Sequence, residues 1–309
     1  MNSKISRTKC SETNDGNQSG SKDLRIRVAV QRKGRLSEGS LELLRSIGLN
    51  FDYYEGRLFS PCSNFPVEIL FVRDDDIPKY VQDGVADLGI VGRNVVAEKE
   101  AVVEQLETLG FGKCRLDIAS REGGAIKNIA DLEGCRIATS YPVILSRFLE
   151  SEKLTANIVE ISGSVEIAPT LNVADAICDL VSTGSTLRIN GLSPIATVLR
   201  SEAVLIGNLG ALSSSDTGSL VSRIRRRVQS CLRARGMRYL MMNANKRDLE
   251  KLRRVLPHLS SPTIMPLAED GSIAIHSAVP SEDVWKVIEE LRQNGASDIL
   301  AVPVEVMVQ

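Results

Sequence analysis

The chain has 309 residues, 43% of them hydrophobic and 25% charged, with a formal net charge of −1. That length suits two or three domains rather than one small core, and the near-neutral balance gives no reason to expect nucleic acid or a membrane surface as a partner. No apolar run approaches the roughly 18 residues of a membrane span. The six cysteines form no Cys-x-x-Cys pair and only two histidines exist, so a zinc site is not expected. They read as reduced thiols of a cytoplasmic protein.

Residues 1–23, rich in Ser, Asn, Lys and Gly, read as a disordered tail without a secretory signal. A strand is expected over 25–30. It leads into Gln31-Arg32-Lys33-Gly34-Arg35-Leu36-Ser37 and a helix through Leu41, Leu44 and Ile47, stopped by Gly48. A strand, a basic glycine turn and a helix can hold an anion, or the cations can simply be solvated. A second buried strand, 67–72, is followed by Arg73-Asp74-Asp75-Asp76, whose acids can cap the helix opened by Ile77-Pro78. Asp87-Leu88-Gly89-Ile90-Val91-Gly92 is a strand running into a loop. Gly89 and Gly92 either admit a ligand to the backbone or serve packing.

The strand at 115–120 is expected to leave the first domain. Residues 136–139 open a second α/β unit, with Pro142 at the first position of a helix after Tyr141, a strand at 158–161 and a short helix from Gly163-Ser164-Val165-Glu166. The stretch from Ala174 to Leu187 begins as a buried strand. It ends in Asp179 and then Ser182-Thr183-Gly184-Ser185-Thr186, which can turn backbone N–H groups and hydroxyls to one concave point. A carboxylate beside such a loop suits a sugar phosphate; an ordinary strand–turn–helix is the alternative. No P-loop or dinucleotide fingerprint is present. Strands over 195–206 should return to the first domain, and the small, polar 207–218 reads as a boundary. Beyond it come a basic helix (220–235) and a βαββαβ order, which is ferredoxin-like. The helix carries Arg223, Arg225, Arg226, Arg227, Arg233 and Arg235 without interleaved aromatics, so it reads as a subunit or inter-domain surface rather than a nucleic-acid face.

The run from Asp175 to Leu187, with Glu166 upstream, resembles the phosphoribosyl-diphosphate (PRPP) loop of the ATP phosphoribosyltransferase family. The resemblance extends through the runs 72–78, 87–92, 138–142 and 163–166 and on to Gly295-Ala296-Ser297-Asp298-Ile299-Leu300. It implies an α/β fold: a two-lobed core like that of periplasmic binding proteins, with a C-terminal ferredoxin-like regulatory domain. It divides the chain into lobe I (24–118 and 197–215), lobe II (119–196) and a regulatory, histidine-binding domain (216–309).

The implied reaction condenses adenine N1 of ATP with PRPP, giving N1-(5-phosphoribosyl)-ATP and diphosphate. The resemblance implies that Ser182, Thr183, Gly184, Ser185 and Thr186 hold the 5-phosphate, and that Glu166 and Asp179 hold ribose hydroxyls or a Mg²⁺ complex. Arg35 and Arg73 stabilise phosphates, Tyr141 contacts purine or ribose, and Asp74 and Gly92 line the substrate site. Mg²⁺ travels with PRPP rather than in a protein cage. Histidine, received by Thr263, His276, Ala296 and Ser297, and AMP are the implied inhibitors; a hexamer exchanging with dimers is the implied assembly. Asn172 stands where the family pattern has glycine, and the Arg32-Lys33 pair and Lys113 are atypical. A non-catalytic two-lobed binding protein is the alternative function.

Overall fold

A computed structural model describes residues 24–54, 56–256 and 261–308. The expected N-terminal tail and His258 lie outside them. The first lobe contains β1 (Ile26–Gln31), α1 (Ser37–Ser46), β2 (Phe59–Pro61), β3 (Val67–Val72), α2 (Ile77–Gln82), β4 (Leu88–Gly92), α3 (Arg93–Glu98) and β5 (Glu104–Thr108). The chain then crosses to β6 (Cys114–Arg121), β7 (Arg136–Thr139), α4 (Pro142–Glu152), β8 (Asn157–Glu160), β9 (Ala176–Val181), α5 (Ser185–Ile189) and β10 (Leu192–Ser201). It returns as β11 (Ala203–Gly207), followed by α6 (Leu209–Ser213) and α7 (Ser215–Arg235). The C-terminal unit is β12 (Met237–Asn245), α8 (Leu249–Val255), β13 (Thr263–Pro266), β14 (Ser272–Pro280), α9 (Val284–Gln293) and β15 (Ala296–Pro303).

The first sheet has the order β2-β3-β1-β4-β11-β5 and the second β10-β6-β9-β7-β8. Strand β1 runs parallel to β3 and β4, and β11 enters antiparallel between β4 and β5. Near-continuous apolar strands such as Leu88–Gly92, buried throughout, mark a sheet covered on both faces. The two crossing segments bond to each other, Leu109 N–H to the Ala203 carbonyl at 2.9 Å and Ala203 N–H to the Phe111 carbonyl at 3.0 Å. This double crossover builds the two-lobed core expected from the sequence. The third sheet, β13-β14-β12-β15, is antiparallel throughout and has the ferredoxin-like order. Helices α8 and α9 cover one face, where Leu240, Met242, Ile275, Leu252 and Leu291 are buried together.

Several expectations shift. The Gly/Ser-rich 207–218 is structured: Asn208 accepts from Ala211 N–H at 2.9 Å as the N-cap of α6. Gly218 lets α7 close on α6, since a Cβ there would lie 2.8 Å from the Leu212 carbonyl oxygen. Asp76 holds the N-cap position of α2 but makes no side-chain cap bond, because a 3₁₀ turn over Asp74–Asp76 precedes it. Asn245 caps the 3₁₀ turn before α8, accepting from Arg247 N–H at 3.1 Å, and Ser281, before the Asp283 N-cap of α9, accepts from Arg238.

Helix α7 buries Leu220, Val221, Ile224, Val228 and Cys231 in the same core as Ile26, Val28, Leu43 and Phe71. The sequence grouped this helix with the C-terminal unit; its apolar stripe packs against the first sheet. Its basic side chains reach that lobe too: Arg225 bonds Glu107 at 2.7 Å and Arg227 the Ile47 carbonyl at 3.1 Å. Ile224→Ala should therefore cost about 2–5 kcal/mol. The urea midpoint should fall and amide protection should weaken in β1, β3 and α1 before β12–β15; the reverse order would contradict the assignment.

Candidate active site

Strand β9 is central in the second sheet, flanked by β6 and β7. Its residues Ala176, Ile177 and Cys178 are fully buried, and burial pushes the Cys178 thiol up, so that it stays protonated and inert. The two acids of the run part company. Asp175 closes a bidentate pair with Arg136 (2.9 and 3.2 Å), which fixes the start of β7 against β9. Asp179, near the other end, faces a cavity of about 360 Å³ lined by Glu166 and residues 179–187. Burial holds its carboxyl above the ordinary aspartate range, and the Glu166 charge raises it further. A bond from Leu180 N–H to Asp179 Oδ1 at 2.8 Å opposes this.

Beyond Val181 the chain must leave the sheet and turn. Gly184 does so at φ 78°, in the left-handed region that glycine enters without strain. Thr183 Oγ1 and Ser185 Oγ lie 3.0 Å apart, so Ser182 to Thr186 form a cup of hydroxyls and amides. Helix α5 begins at Ser185 and has only five residues. Its dipole is therefore short, and local donors carry the anion chemistry. Glu166 reaches the cavity from a 3₁₀ turn (Val165–Ile167) entered through Ser164 at φ 50°. Asn172 takes φ 57°, a conformation that Asn tolerates better than most residues after glycine. Its side chain also accepts from Arg121 at 3.0 Å. The departure from the family glycine is thus absorbed locally.

Tyr141 is the N-cap residue of α4, with Pro142 at its first position as expected. Its N–H donates to Thr139 Oγ1 at 2.9 Å, and Thr139 donates to the Cys178 carbonyl at 2.6 Å. Burial first, and then the Asp179 charge, hold the Tyr141 phenol protonated; Asp74 and Asp75 add to it through space. The cleft thus brings Tyr141 near Asp179 on one lobe and near the Arg73-Asp74-Asp75 segment on the other. Asp74 is itself pushed up by burial and by Asp75, against the attraction of Arg35. Arg35, in the turn between β1 and α1, and Arg73, directly after β3, are both exposed. Gly92 contributes space: a Cβ there would lie 2.5 Å from Asn94 Oδ1.

Three residue sets escaped the sequence. Asn94 donates to the Tyr141 hydroxyl at 3.3 Å and accepts from Ser201 Oγ at 2.8 Å, linking both lobes to the crossing strand. Glu98 accepts from Val143 and Ile144 N–H, both at 3.0 Å, so a first-lobe carboxylate caps a second-lobe helix. Arg115 is held by the buried Asp117 at 2.5 Å, which Thr197 also bonds at 2.8 Å. With Arg188, Arg115 brings a guanidinium behind Gly184, within 3.9 Å of where its Cβ would be. Each partner is remote in sequence or is a lone charge on a strand, so no local signal marks them.

In the C-terminal unit Thr263 and His276 are direct neighbours on β13 and β14. His276 meets the Tyr239 ring edge-on at 5.8 Å. Ala296 is buried beside Ala244, while Ser297 lies opposite Asn243 across β12. Strand β12 therefore separates the two pairs.

The fold and this loop define a class: a two-lobed α/β protein with a polar, hydroxyl-lined cavity at the end of a central strand. Residues 73–230 match the HisG family, ATP phosphoribosyltransferase, and residues 234–306 match the HisG C-terminal domain. The ATP phosphoribosyltransferase of Cytophaga hutchinsonii is 44% identical over 92% of this chain and 99% of its own length. That of Maricaulis maris is 43% identical over 92% and 98%. A solved structure, the ATP phosphoribosyl transferase (HisG:HisZ) complex from Thermotoga maritima, aligns with a TM-score of 0.57 at 27% identity, covering 66% of this chain and 98% of that one. The chain belongs to the ATP phosphoribosyltransferase family, in its long form with the C-terminal domain.

The Asp179 carboxyl should titrate above an ordinary aspartate when followed by carbon-13 NMR. In Glu166→Gln its midpoint should fall, since a raising charge is removed. An unchanged midpoint would show that the two carboxylates do not share the cavity.

Proposed function

We propose that this chain condenses ATP with PRPP to give N1-(5-phosphoribosyl)-ATP and diphosphate. The observation that carries the reading is the cavity joining Glu166 and Asp179 to the hydroxyl-rich loop 182–186. The 5-phosphate sits in that loop, held by backbone N–H groups and the hydroxyls of Ser182, Thr183, Ser185 and Thr186. Asp179 and Glu166 accept the ribose 2- and 3-hydroxyls. Adenine N1 then attacks C1 of the ribose as the C1–O bond to diphosphate breaks, and its lone pair forms the new N–C bond. Such a transition state resembles an oxocarbenium ion and needs no enzyme nucleophile. The tasks are alignment and charge neutralisation. Arg35 and Arg73 neutralise phosphate charge from the first lobe, Tyr141 orients the purine or ribose, and Asp74 and Gly92 shape the opposite wall.

The hard oxygen donors of Glu166 and Asp179 suit Mg²⁺ whose other ligands are substrate oxygens and water. Among the described residues no group of three or more His, Cys, Asp or Glu side chains converges. When bound, Mg²⁺ supplies charge compensation on the departing diphosphate.

The C-terminal unit is the candidate receptor for histidine as feedback inhibitor, through Thr263, His276, Ala296 and Ser297. AMP is the second expected inhibitor, competing in the nucleotide half of the cleft. A homo-oligomer, hexamer or dimer, is the expected assembly. No helix among the described residues is long and apolar enough to cross a membrane. The described cysteines are all free, which supports a reducing, cytoplasmic setting.

With ATP, PRPP, Mg²⁺ and a diphosphatase, the purified protein should form phosphoribosyl-ATP, and histidine should suppress the rate. Asp179→Asn should lower turnover by about 100-fold. It should also raise the thermal midpoint near neutral pH. The sign follows from the raised folded-state pKa of Asp179: the folded state binds its proton more tightly, so stability falls as pH rises through that range, and the neutral amide removes this loss. Folded protein that gives no product would overturn the catalytic reading. Turnover indifferent to histidine would remove only the effector assignment.

A further inference from the structure

Helix α7 carries Arg223, Arg226 and Arg227 on one face, at the i, i+3, i+4 spacing that makes side chains neighbours. They line a cavity of about 740 Å³, well apart in the chain from the 182–186 loop. Ser46, Ile47 and Gly48 at the end of α1 form a second wall with Asn64, and Val306 and Val308 of the segment after β15 form a third. That segment is tied to α7 by Met307 N–H donating to the Ser230 carbonyl at 3.1 Å. The cavity therefore lies at the joint between the first lobe and the C-terminal unit.

Its charge is unbalanced. No acid lines it, and no carboxylate of the described residues pairs with Arg223, Arg226 or Arg227, whereas neighbouring Arg225 is paired with Glu107. Two of the guanidinium groups are positioned without being neutralised. Arg223 and Arg227 stack over the Phe65 ring, 4.6 and 4.5 Å from its centroid, and Arg227 also donates to the Ile47 carbonyl. Arg226 completes the face and is exposed.

We propose that this cavity is a second anion site that takes a small organic phosphate. Guanidinium forks match phosphate oxygens, and a phosphate monoester supplies about −1.5 to −2 charges at neutral pH, enough to balance most of this cluster. Ile47, Val306 and Val308 receive the carbon body of the ligand, and the volume falls in the range of about 300–1,000 Å³ typical of small-molecule sites. A ligand bound there bridges α1, α7 and the C-terminal segment.

Phenyl phosphate is a suitable probe: it is dianionic, has an apolar ring and offers no reacting ribose. Equilibrium dialysis of the full chain should show one equivalent bound that persists in Gly184→Asp, whose added carboxylate repels an anion from the 182–186 loop. In Arg226→Gln the dissociation constant should rise at least tenfold while KM for ATP and PRPP stays unchanged. Amide exchange at residues 305–308 should slow when the probe binds. Three results would overturn the proposal: no saturable binding, binding unaffected by Arg226→Gln, or an altered sedimentation coefficient in that variant without probe binding, which would assign the arginines to a contact between copies. Equal affinity for isophthalate would overturn the phosphate preference and leave a general dianion site.

Discussion

The architecture depends on the place where the chain crosses twice between lobes. The outgoing segment after β5 and the returning one before β11 bond backbone to backbone, Leu109 to Ala203 and Ala203 to Phe111. The outgoing and returning segments run antiparallel, and joined this way they form one short ribbon. Ser201, at the end of β10, holds the Asn94 amide, which in turn meets the Tyr141 hydroxyl. Glu98 on α3 satisfies two of the first N–H groups of α4, which would otherwise lack intrahelical partners. Arg147 of α4 pairs with Glu100 in addition. The cleft is thus set by polar contacts reaching across 45 or more positions in the chain.

Within the cleft, stability and chemistry pull against each other. Asp179 is a buried carboxylate beside a second carboxylate, Glu166, and its only resolved compensation is the bond from its neighbour's amide. Burying such a pair is unfavourable without cations or hydrogen-bond donors. A polyhydroxyl ligand with an accompanying cation supplies both. Asp117 shows the contrasting solution: buried more deeply than Asp179, it has Arg115 and Thr197 as partners within the protein.

The parts legible in the sequence were those encoded by local pattern. The run of small hydroxyl residues around Gly184 and the buried strands β1, β3, β4 and β9 each follow from composition or periodicity over fewer than a dozen positions, and the ferredoxin-like order follows from a succession of such local elements between Met237 and Pro303. Two edge strands, β2 and β5, went unread. Phe59–Pro61 is three residues long, and Glu104–Thr108 reads Glu-Gln-Leu-Glu-Thr with only Leu106 buried. An edge strand with one buried residue has too little alternation to register. The stretch 207–218 misled for a different reason. Small residues there serve the close approach of α6 to α7, and composition cannot distinguish close packing from a linker. Asn94, Glu98 and Arg115 were illegible because each acts through a partner that only the fold supplies.

Helix α7 shows how one element's composition can conceal two roles. Its 21 residues span about 31 Å at 1.5 Å per residue, and its apolar stripe belongs to the first core. Its basic residues divide. Arg225, with Gln229, is consumed by Glu107 on β5, so that part of the positive charge is structural. Arg223 and Arg227 are held by an aromatic ring, which orders a cation while leaving its charge available. Gly236 then passes the helix directly into β12, the strand paired with both β14 and β15. Any rearrangement of the C-terminal sheet is therefore applied to a helix whose opposite end is built into the first lobe. The two units are thus joined by a helix running straight into a strand, and the stretch that resembles a linker in composition, 207–218, lies on the first-lobe side of that helix.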